Sequence, residues 1–559
     1  MRGIWVPVSR PSAPGLAGIF LACTIALSTL IACDRLETNV RSGNRAGVLH
    51  IGNGSEPQSL DPHVISGLVE WNIVGALFEG LVTRNPWTLE LEPGVAEHWQ
   101  WDEDRLGIAF HLNSNARWSN GDPVTAQDFV WSWQRSLNPA LGNQTAFNLF
   151  SIKNARAYHV GEINDPEAVG VKAVNDRILK VTLEKPNPYL LENLAHFSAV
   201  PVHRPTIEAH GNPTNRFTRW TRVGNMVNNG PFNLADWQLH RRIVLERSPT
   251  YWNAGNISLN AIVFYPVENE ITEEKMFRAG QLHATSRVPH SKIRMYKSYA
   301  DTPYQEAPML AIYYYLLNTT RPPLDDIRVR LALALSIDRQ RLVSTILQNA
   351  EAPSYTLTPP GMPNYEPPGI LKHDEQRART LLADAGYPDG RGWPGLELLY
   401  NTSENHRKVA VAVQQMWKHN LGIEVTLKNQ EWKVYLDSMD VMDFEVARAG
   451  WVGTVDPASI LRTFTSNSHV NRAGFSDPEF DEIIEERYPR APDQAGQQSL
   501  LRRAETILMS YLPAIPVYTP TTKHLVQPGV GGIPPNAMDI YNFRYVKLDP
   551  DAEVWQPPE

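Results

Sequence analysis

The side chains that most often make or break bonds are present in this chain, but not at the spacings that catalysis needs. No His-Glu-x-x-His, Gly-x-Ser-x-Gly, phosphate-binding loop or Gly-x-Gly-x-x-Gly motif occurs, and Gly52-Asn53-Gly54-Ser55-Glu56-Pro57 only half resembles the last. The 16 histidines are scattered, with no pair at the spacing of a metal site on one helix. Adjacent carboxylates such as Glu273-Glu274 and Glu485-Glu486 read as solvated helix faces. An extracytoplasmic hydrolase is therefore a distant reading, and no metal or cofactor is expected. One position does invite covalent chemistry. Leu30-Ile31-Ala32-Cys33 looks like a bacterial lipobox, in which the cysteine takes the lipid and becomes the first residue. The alternative is an ordinary signal peptide cut near Cys33.

The surroundings of Cys33 fit an export signal. Arg2 and Arg10 make a positive start, and Leu16 to Ala32 is an uncharged, mostly apolar run of 17 residues, short for a membrane span. A diacylated and acylated Cys33 would hold the protein at a membrane, since more than one chain is needed for stable anchoring. Asp34 resembles the signal that retains enteric lipoproteins at the inner membrane. The polar residues from Cys33 to about Gly47 (33–47) are expected to form a flexible tether after the signal peptide (1–32). Removing that peptide takes away Arg2 and Arg10 and no acid, so 50 basic residues face 60 acidic ones and the net charge goes from −8 to −10. An evenly spread acidic surface makes nucleic acid an unsuitable partner. The two cysteines are Cys23 and Cys33, so the mature chain has no pair to oxidise and depends on its apolar core. About 525 residues allow two or three domains.

Those domains read as α/β. Strand patterns occur at Val48–Gly52, Ile178–Leu183, Ile243–Glu246 and Ile423–Leu427, and helical periodicity at Asp325–Gln340, His373–Ala385 and His406–His419. Helix, Gly422 turn and strand in sequence are an α/β signature with a mixed sheet. Asn120-Gly121 marks a turn, followed by Thr125 as N-cap and Asp128 three residues later for a capping-box pairing. Tyr313-Tyr314-Tyr315 reads as a strand with aromatics on both faces.

Three strips are informative together: Tyr400-Asn401-Thr402-Ser403-Glu404-Asn405-His406, Asn429-Gln430-Glu431-Trp432, and Ala447-Arg448-Ala449-Gly450-Trp451-Val452-Gly453-Thr454-Val455-Asp456-Pro457. They resemble the ligand-facing segments of the periplasmic oligopeptide-binding proteins, the solute receptors of peptide ABC importers. The resemblance extends from about Ser55 to Tyr545. It includes Ser55-Glu56-Pro57-Gln58-Ser59-Leu60-Asp61-Pro62, Leu77-Phe78-Glu79-Gly80-Leu81, Trp118-Ser119-Asn120-Gly121-Asp122-Pro123-Val124-Thr125-Ala126-Gln127-Asp128-Phe129, and Leu245-Glu246-Arg247-Ser248-Pro249-Thr250-Tyr251-Trp252. It implies a two-lobed periplasmic-binding-protein fold with mixed sheets and an extra inserted domain. Lobe one would comprise 48–78, 204–310 and 520–559, the insertion 79–203, and lobe two 311–519.

The resemblance also implies a monomeric receptor that encloses an oligopeptide and delivers it to the importer's permease subunits. A receptor for peptides of varied sequence must grip the constant parts: main chain, carboxylate and amine. Arg448 matches the position that meets the ligand carboxylate, and His406 another used for longer peptides. Gly450 and Trp451 match the main-chain and side-pocket wall, Trp432 a side-chain pocket, Asn401 lies in the first strip, and Arg287 falls in a loop that approaches the ligand. The alternatives are a lobe-two salt bridge for Arg448, a satisfied helix-start histidine for His406, and core positions for both tryptophans. Thr454 stands where relatives usually carry an aspartate for the peptide amine, and Asp456 is the acid that could take over that role. Met439 and Leu347 replace basic residues, and Leu316 and Ser66 replace glutamates. Ala311 and Val452 align with a pair that forms a disulfide in some relatives. Fewer acids and one added cation would suit the alternative, a receptor for an amine-blocked or anionic peptide-like ligand that acts in sensing rather than uptake.

Overall fold

The computed structural model describes residues 3, 5, 37–362, 365–453, 455–468, 470–491 and 493–558. Cys33 and the apolar run before it lie outside the described residues. Among the described residues no helix is long and apolar enough to cross a membrane.

Among the described residues, apolar side chains build three large cores and a small fourth cluster around Phe277, Tyr296, Leu525 and Trp555. One, drawn from Leu49–Phe78, Phe197–Phe264 and Ala284 together with Val526–Val546, lies under a four-stranded sheet. There Val48–Gly52 pairs parallel with Ala261–Tyr265, which continues antiparallel into Arg242–Arg247 and Phe232–Gln238. The second core, Leu81 to Ala199, packs helix Ala126–Leu137 onto a four-stranded antiparallel sheet. The Asp128 carboxylate accepts from Thr125 N at 2.7 Å and from its hydroxyl at 3.0 Å, so the expected capping box forms. The third and largest core, Ile312 to Tyr518, surrounds a six-stranded mixed sheet. Its order is Ala352–Pro353, Ala514–Thr519, Ala311–Leu317, Val446–Val452, Glu397–Asn401, Thr426–Gln430. The chain is thus a two-lobed α/β protein with a further domain inserted in the first lobe. The chain crosses between lobes twice, side by side, where the antiparallel ribbon Tyr304–Pro308/Thr521–Leu525 meets the large sheet. Adjacent crossings between independently packed bodies form a hinge.

The parallel unit Glu397–Asn401, helix Glu404–Leu421, strand Thr426–Gln430 positions much of the site. Ser403 caps the helix by accepting from His406 N, Gly422 closes it at φ 72°, and Val409, Val413 and Trp417 turn inward. Strand pairing begins at Thr426 rather than Ile423. Ile423 and Val425 bury their side chains, but Gln414 Nε2 donates to the Val425 carbonyl at 2.7 Å, holding it off the ladder. The periodic stretch 325–340 breaks into Ile327–Leu335 and Arg339–Thr345 because Asp338 caps the second helix.

Two expectations are overturned. The supposed tether 33–47 contains helix Asn39–Ala46, capped by Thr38 and by Gly47 at φ 66°. It docks through fully buried Val40 and through Asn44 Oδ1, 3.0 Å from His283 Nε2. Polar composition concealed this because one buried valine and two caps suffice to seat so short a helix. Glu273 and Glu274, read as solvated, are both 0% exposed. The Glu274 carboxylate accepts from Tyr296 Oη at 2.7 Å and pairs with Arg278 at 2.8 Å.

Candidate functional site

A cavity of about 300 Å³ lies between the lobes, bordered by all three bodies. Its floor is the outer part of strand Val446–Val452. On one side this strand pairs with Ala311–Leu317, setting Arg448 opposite Tyr315, Gly450 opposite Tyr313 and Val452 opposite Ala311. The last pair makes adjacent the two positions that the family resemblance linked. On its other side only Val446 and Ala447 find partners, in Leu398 and Leu399. Beyond Ala447 the strand edge has no ladder partner among the described residues, and such an edge is a template for another extended chain.

Positive charge gathers at the inner end of this edge. The Arg448 guanidinium carbon stands 4.8 Å from the Tyr313 ring centroid, and Nη1 donates to Asn401 Oδ1 at 3.4 Å. Tyr313 in turn stacks on Tyr518 at 4.4 Å, so the guanidinium rests on an aromatic shelf. Neither Arg448 nor Arg287, also in the cavity wall, has a carboxylate within salt-bridge distance among the described residues. Three other basic groups there are paired, Lys523 and His290 with Glu351 and Arg462 with Asp456. The lobe-two salt bridge considered for Arg448 is therefore not formed. His406 lies beside the shelf, 5.6 Å from Tyr313, 6% exposed, with neither ring nitrogen hydrogen-bonded. It is not a satisfied helix-start histidine. Burial, with Arg448, Arg287 and His290 adding to it, drives its pKa well below 6.5 and keeps the ring neutral. Two guanidiniums without an ion pair among the described residues and an unsatisfied imidazole in one pocket are arranged to receive an anionic group.

The other predicted residues separate. Gly450 lines the cavity, and a Cβ there would come within 3.2 Å of the Arg448 guanidinium, so glycine keeps the floor open. Trp451 lines it too, its ring 6.1 Å from Phe147 of the inserted domain and its Nε1 buried without an acceptor. Trp432 bridges the lobes by donating from Nε1 to Glu70 Oε1 at 3.2 Å. Both tryptophans are half-buried at the cleft rather than in the core. Thr454 lies outside the described residues. Asp456 is withdrawn from the cleft: its fully buried carboxylate pairs with Arg462 and accepts from Ala458 N at 2.9 Å and Tyr488 Oη at 3.1 Å. Its position before helix Ala458–Leu461 turns it toward these partners, so it does not stand in for an amine-binding acid. Leu347, Met439 and Leu316 are buried in the lobe-two core, whereas Ser66 borders the cavity.

Hydrogen bonds close the lobes over the cavity. Glu270 accepts from Glu404 N at 2.8 Å and from the Ser403 hydroxyl, Asn405 Oδ1 accepts from His290 N at 3.3 Å, and Gln58 Nε2 donates to Asp437 at 3.3 Å. Gln144 of the insertion reaches Asp440 at 2.8 Å. Sequence reasoning missed Phe147, Trp71, His196, His290 and Tyr518, all in the cavity wall. None belongs to a strip with unusual composition, and only the folding of distant segments brings them together.

Glu273 supports the loop that carries Arg287, accepting from Ser286 N at 2.7 Å and from its hydroxyl at 2.9 Å. Burial is the largest influence on it and lifts its pKa from 4.5 to about 7. The two Ser286 hydrogen bonds and Arg287 oppose the rise and Glu270 adds to it. A raised folded-state value means that the unfolded chain loses this proton first. The associated stability, about 3 kcal/mol, is complete below pH 4.5 and is lost as pH rises through about 7. In urea titrations, Glu273→Gln is expected to remove this decline between pH 5 and 8. Parallel wild-type and variant profiles would contradict the assignment.

Comparison with known proteins agrees with this geometry. The profile of the bacterial extracellular solute-binding proteins, family 5 Middle, matches residues 90–472. The periplasmic oligopeptide-binding protein OppA of Escherichia coli K12 is 40% identical over 493 residues, 86% of this chain and 88% of its own. The crystal structure of Haemophilus influenzae OppA in complex with RPPGFSPFR superposes with a TM-score of 0.86 at 34% identity, covering 90% of this chain and 99% of that one. The murein tripeptide binding protein MppA of Escherichia coli gives 0.84 at 35% identity (90% and 98% covered), but its unliganded open form gives only 0.61. The lobes here thus stand as in the peptide complex rather than as in the open form.

Proposed function

The chain belongs to the bacterial extracellular solute-binding proteins of family 5, and from that premise we propose that it captures oligopeptides in the periplasm for an ABC importer. The observation that carries this reading is the strand edge from Arg448 to Val452, which has no ladder partner among the described residues, with two guanidiniums at its inner end that have no carboxylate within salt-bridge distance among them either. The peptide main chain adds to that edge as an extra strand. Its carboxylate is received by Arg448, with His406 and Arg287 beside it, and Asn401 steadies the guanidinium. Trp432, Trp451 and Gly450 border the space for side chains, which stays permissive because no side-chain contact is required for affinity. Ligand shifts the population toward the closed form only by its preference for that form.

Lobe one is proposed to comprise 48–78, 204–310 and 520–559, the insertion 79–203 and lobe two 311–519, with closure about the hinge ribbon. The protein acts as a monomer whose closed form docks on the permease subunits, and Cys33 carries the lipid that keeps it at the inner membrane. Its relatives are binding proteins rather than enzymes. Similarity to oligopeptide binders favours ordinary peptides over an amine-blocked or anionic ligand.

Mass spectrometry of ligand released by denaturing the purified protein tests the reading. A mixture of free peptides is expected, together with a diacylglyceryl increment on Cys33 in protein taken from membranes. A single non-peptide compound would overturn the peptide assignment, and an unmodified Cys33 the anchor.

A further inference from the structure

Charge is unevenly spread over one stretch of the chain. Between Glu208 and Glu246 stand Arg216, Arg219, Arg222, Arg241 and Arg242 against a single acid, Asp236. Two of these arginines are engaged: Arg216 donates to the carbonyls of Gly142 and Val64, each at 3.2 Å, and Arg242 pairs with Asp236 at 3.3 Å. Arg219, Arg222 and Arg241 are exposed and have no carboxylate within salt-bridge distance among the described residues. The fold brings them to one region. Arg222 N donates to the Arg219 carbonyl at 3.1 Å, placing the two one turn apart. The Arg222 guanidinium lies 5.6 Å from the centroid of the Trp237 ring, and Trp237 leads into the hairpin turn Leu239-His240-Arg241 between strands Phe232–Gln238 and Arg242–Arg247. Nearby acids do not offset this charge. Glu56 is buried and accepts from Trp237 Nε1 at 2.6 Å and His240 N at 2.9 Å, and Glu208 pairs with Arg204. Apolar side chains stand out among the cations: Leu239 at the turn is 64% exposed, and Phe217, two residues before Arg219, is 87% exposed.

The amino-terminal segment enters the fold beside this region. Tyr265 follows Phe264, the ladder partner of Ile243, and so ends next to Arg242. Its hydroxyl accepts from Nδ2 of Asn39, the first residue of helix Asn39–Ala46, at 3.5 Å. Six residue steps lead from Cys33 to Asn39 and span at most about 21 Å. A lipid on Cys33 therefore keeps this end of the sheet within about that distance of the bilayer. Exposed guanidiniums with apolar side chains among them match the chemistry of an anionic phospholipid surface, phosphates for the cations and the headgroup boundary for the apolar groups. We infer that the face formed by Arg219, Arg222, Leu239 and Arg241 docks on an anionic phospholipid surface and so fixes the orientation of the anchored receptor. The mature chain as a whole carries a charge of −10 and is repelled by such a surface, which leaves this face as the one turned toward it. The inference builds on the proposed anchor at Cys33 and is tested without it.

The chain from Asp34 onward keeps every described core and has no cysteine. It is expected to co-sediment with vesicles of equimolar phosphatidylglycerol and phosphatidylcholine at low ionic strength. It should not do so with phosphatidylcholine alone, nor in about 1 M salt, where the screening length is about 3 Å. The triple variant Arg219→Ala, Arg222→Ala, Arg241→Ala should bind the anionic vesicles about a hundredfold more weakly, at about fivefold per arginine. Its tetrapeptide affinity should match wild type, since none of the three lines the cleft. A dye on Leu239→Cys should shift to the blue on these vesicles, whereas one on Val174→Cys, 61% exposed on the inserted domain, should not. A wild-type chain that ignores anionic vesicles, or a triple variant that binds them as well as wild type, overturns the inference whether or not Cys33 carries lipid. Loss of peptide uptake in the triple variant without vesicle binding by wild type would overturn it in favour of a permease contact.

Discussion

Arg448→Ala is expected to weaken peptide binding by about two to three and a half decades while leaving the empty protein at least as stable as wild type. The size follows from the chemistry of a carboxylate enclosed without its cation, which costs about 3–5 kcal/mol. The direction of the stability effect follows from what Arg448 lacks. With no carboxylate partner among the described residues, it is held by one 3.4 Å hydrogen bond to Asn401 and by the Tyr313 face. Removing it relieves a desolvated charge and gives up little else. A purely structural arginine would behave in the opposite way, losing stability and affinity together. Calorimetry with an unmodified tetrapeptide, beside a thermal melt of the ligand-free protein, separates the two. Arg448→Lys should recover part of the loss, since it restores charge without the planar fork. Unchanged affinity in the alanine variant would mean that the carboxylate lies elsewhere.

The second large effect concerns the joint between lobe one and the insertion. Asp61, from the Leu60-Asp61-Pro62 block, is 2% exposed and accepts from Arg135 Nη2 at 2.6 Å, Arg135 Nη1 at 3.2 Å, Trp220 Nε1 at 3.2 Å and His63 N at 3.0 Å. Asp61→Ala leaves Arg135 buried without a counter-ion and should destabilise this region by about 3–5 kcal/mol. Urea unfolding followed by Trp220 fluorescence would report it. Asp61→Leu combined with Arg135→Met should recover most of the loss, because no unpaired charge then remains. A mild Asp61→Ala would show that water enters the joint. Burial alone would raise the Asp61 pKa, but Arg135 outweighs it and the net shift is downward. Its contribution is therefore present above the ordinary carboxylate value and is lost as pH falls through the depressed folded-state value. No comparable change in tetrapeptide affinity is expected, since Asp61 is not part of the cleft wall.

Several features were legible because their physics is local. Thr125 and Asp128 are one helical turn apart, and their capping interaction depends on little else. The same holds for Ser403 before His406 and for Gly422 at the end of that helix. Arg448, Gly450 and Trp451 were singled out through the family resemblance, which matched them to ligand-facing positions, and not through any local pattern of their own. The errors arose where local composition was allowed to stand for environment. Glu273-Glu274 has the composition of a solvated helix face, yet Ser286 and Tyr296 arrive from elsewhere to satisfy both carboxylates. The polar segment before Val48 has the composition of a tether, yet the chain around Gly280 and His283 gives it a surface on which to dock.

The sequence by itself determined the α/β class, the two-lobed family and the strips from which the cleft is built. All of these are written in nearest neighbours, periodicity or the order of blocks along the chain. Only the tertiary structure decided which charges remain unpaired. Lys523 and Arg462 find carboxylates, whereas Arg448 and Arg287 find none within salt-bridge distance among the described residues. It also turned Asp456 away from the cleft and brought Phe147 against Trp451 in the cavity wall. The reason is that the state of a buried charge depends on every group within a few ångströms, and those groups come from segments hundreds of residues apart.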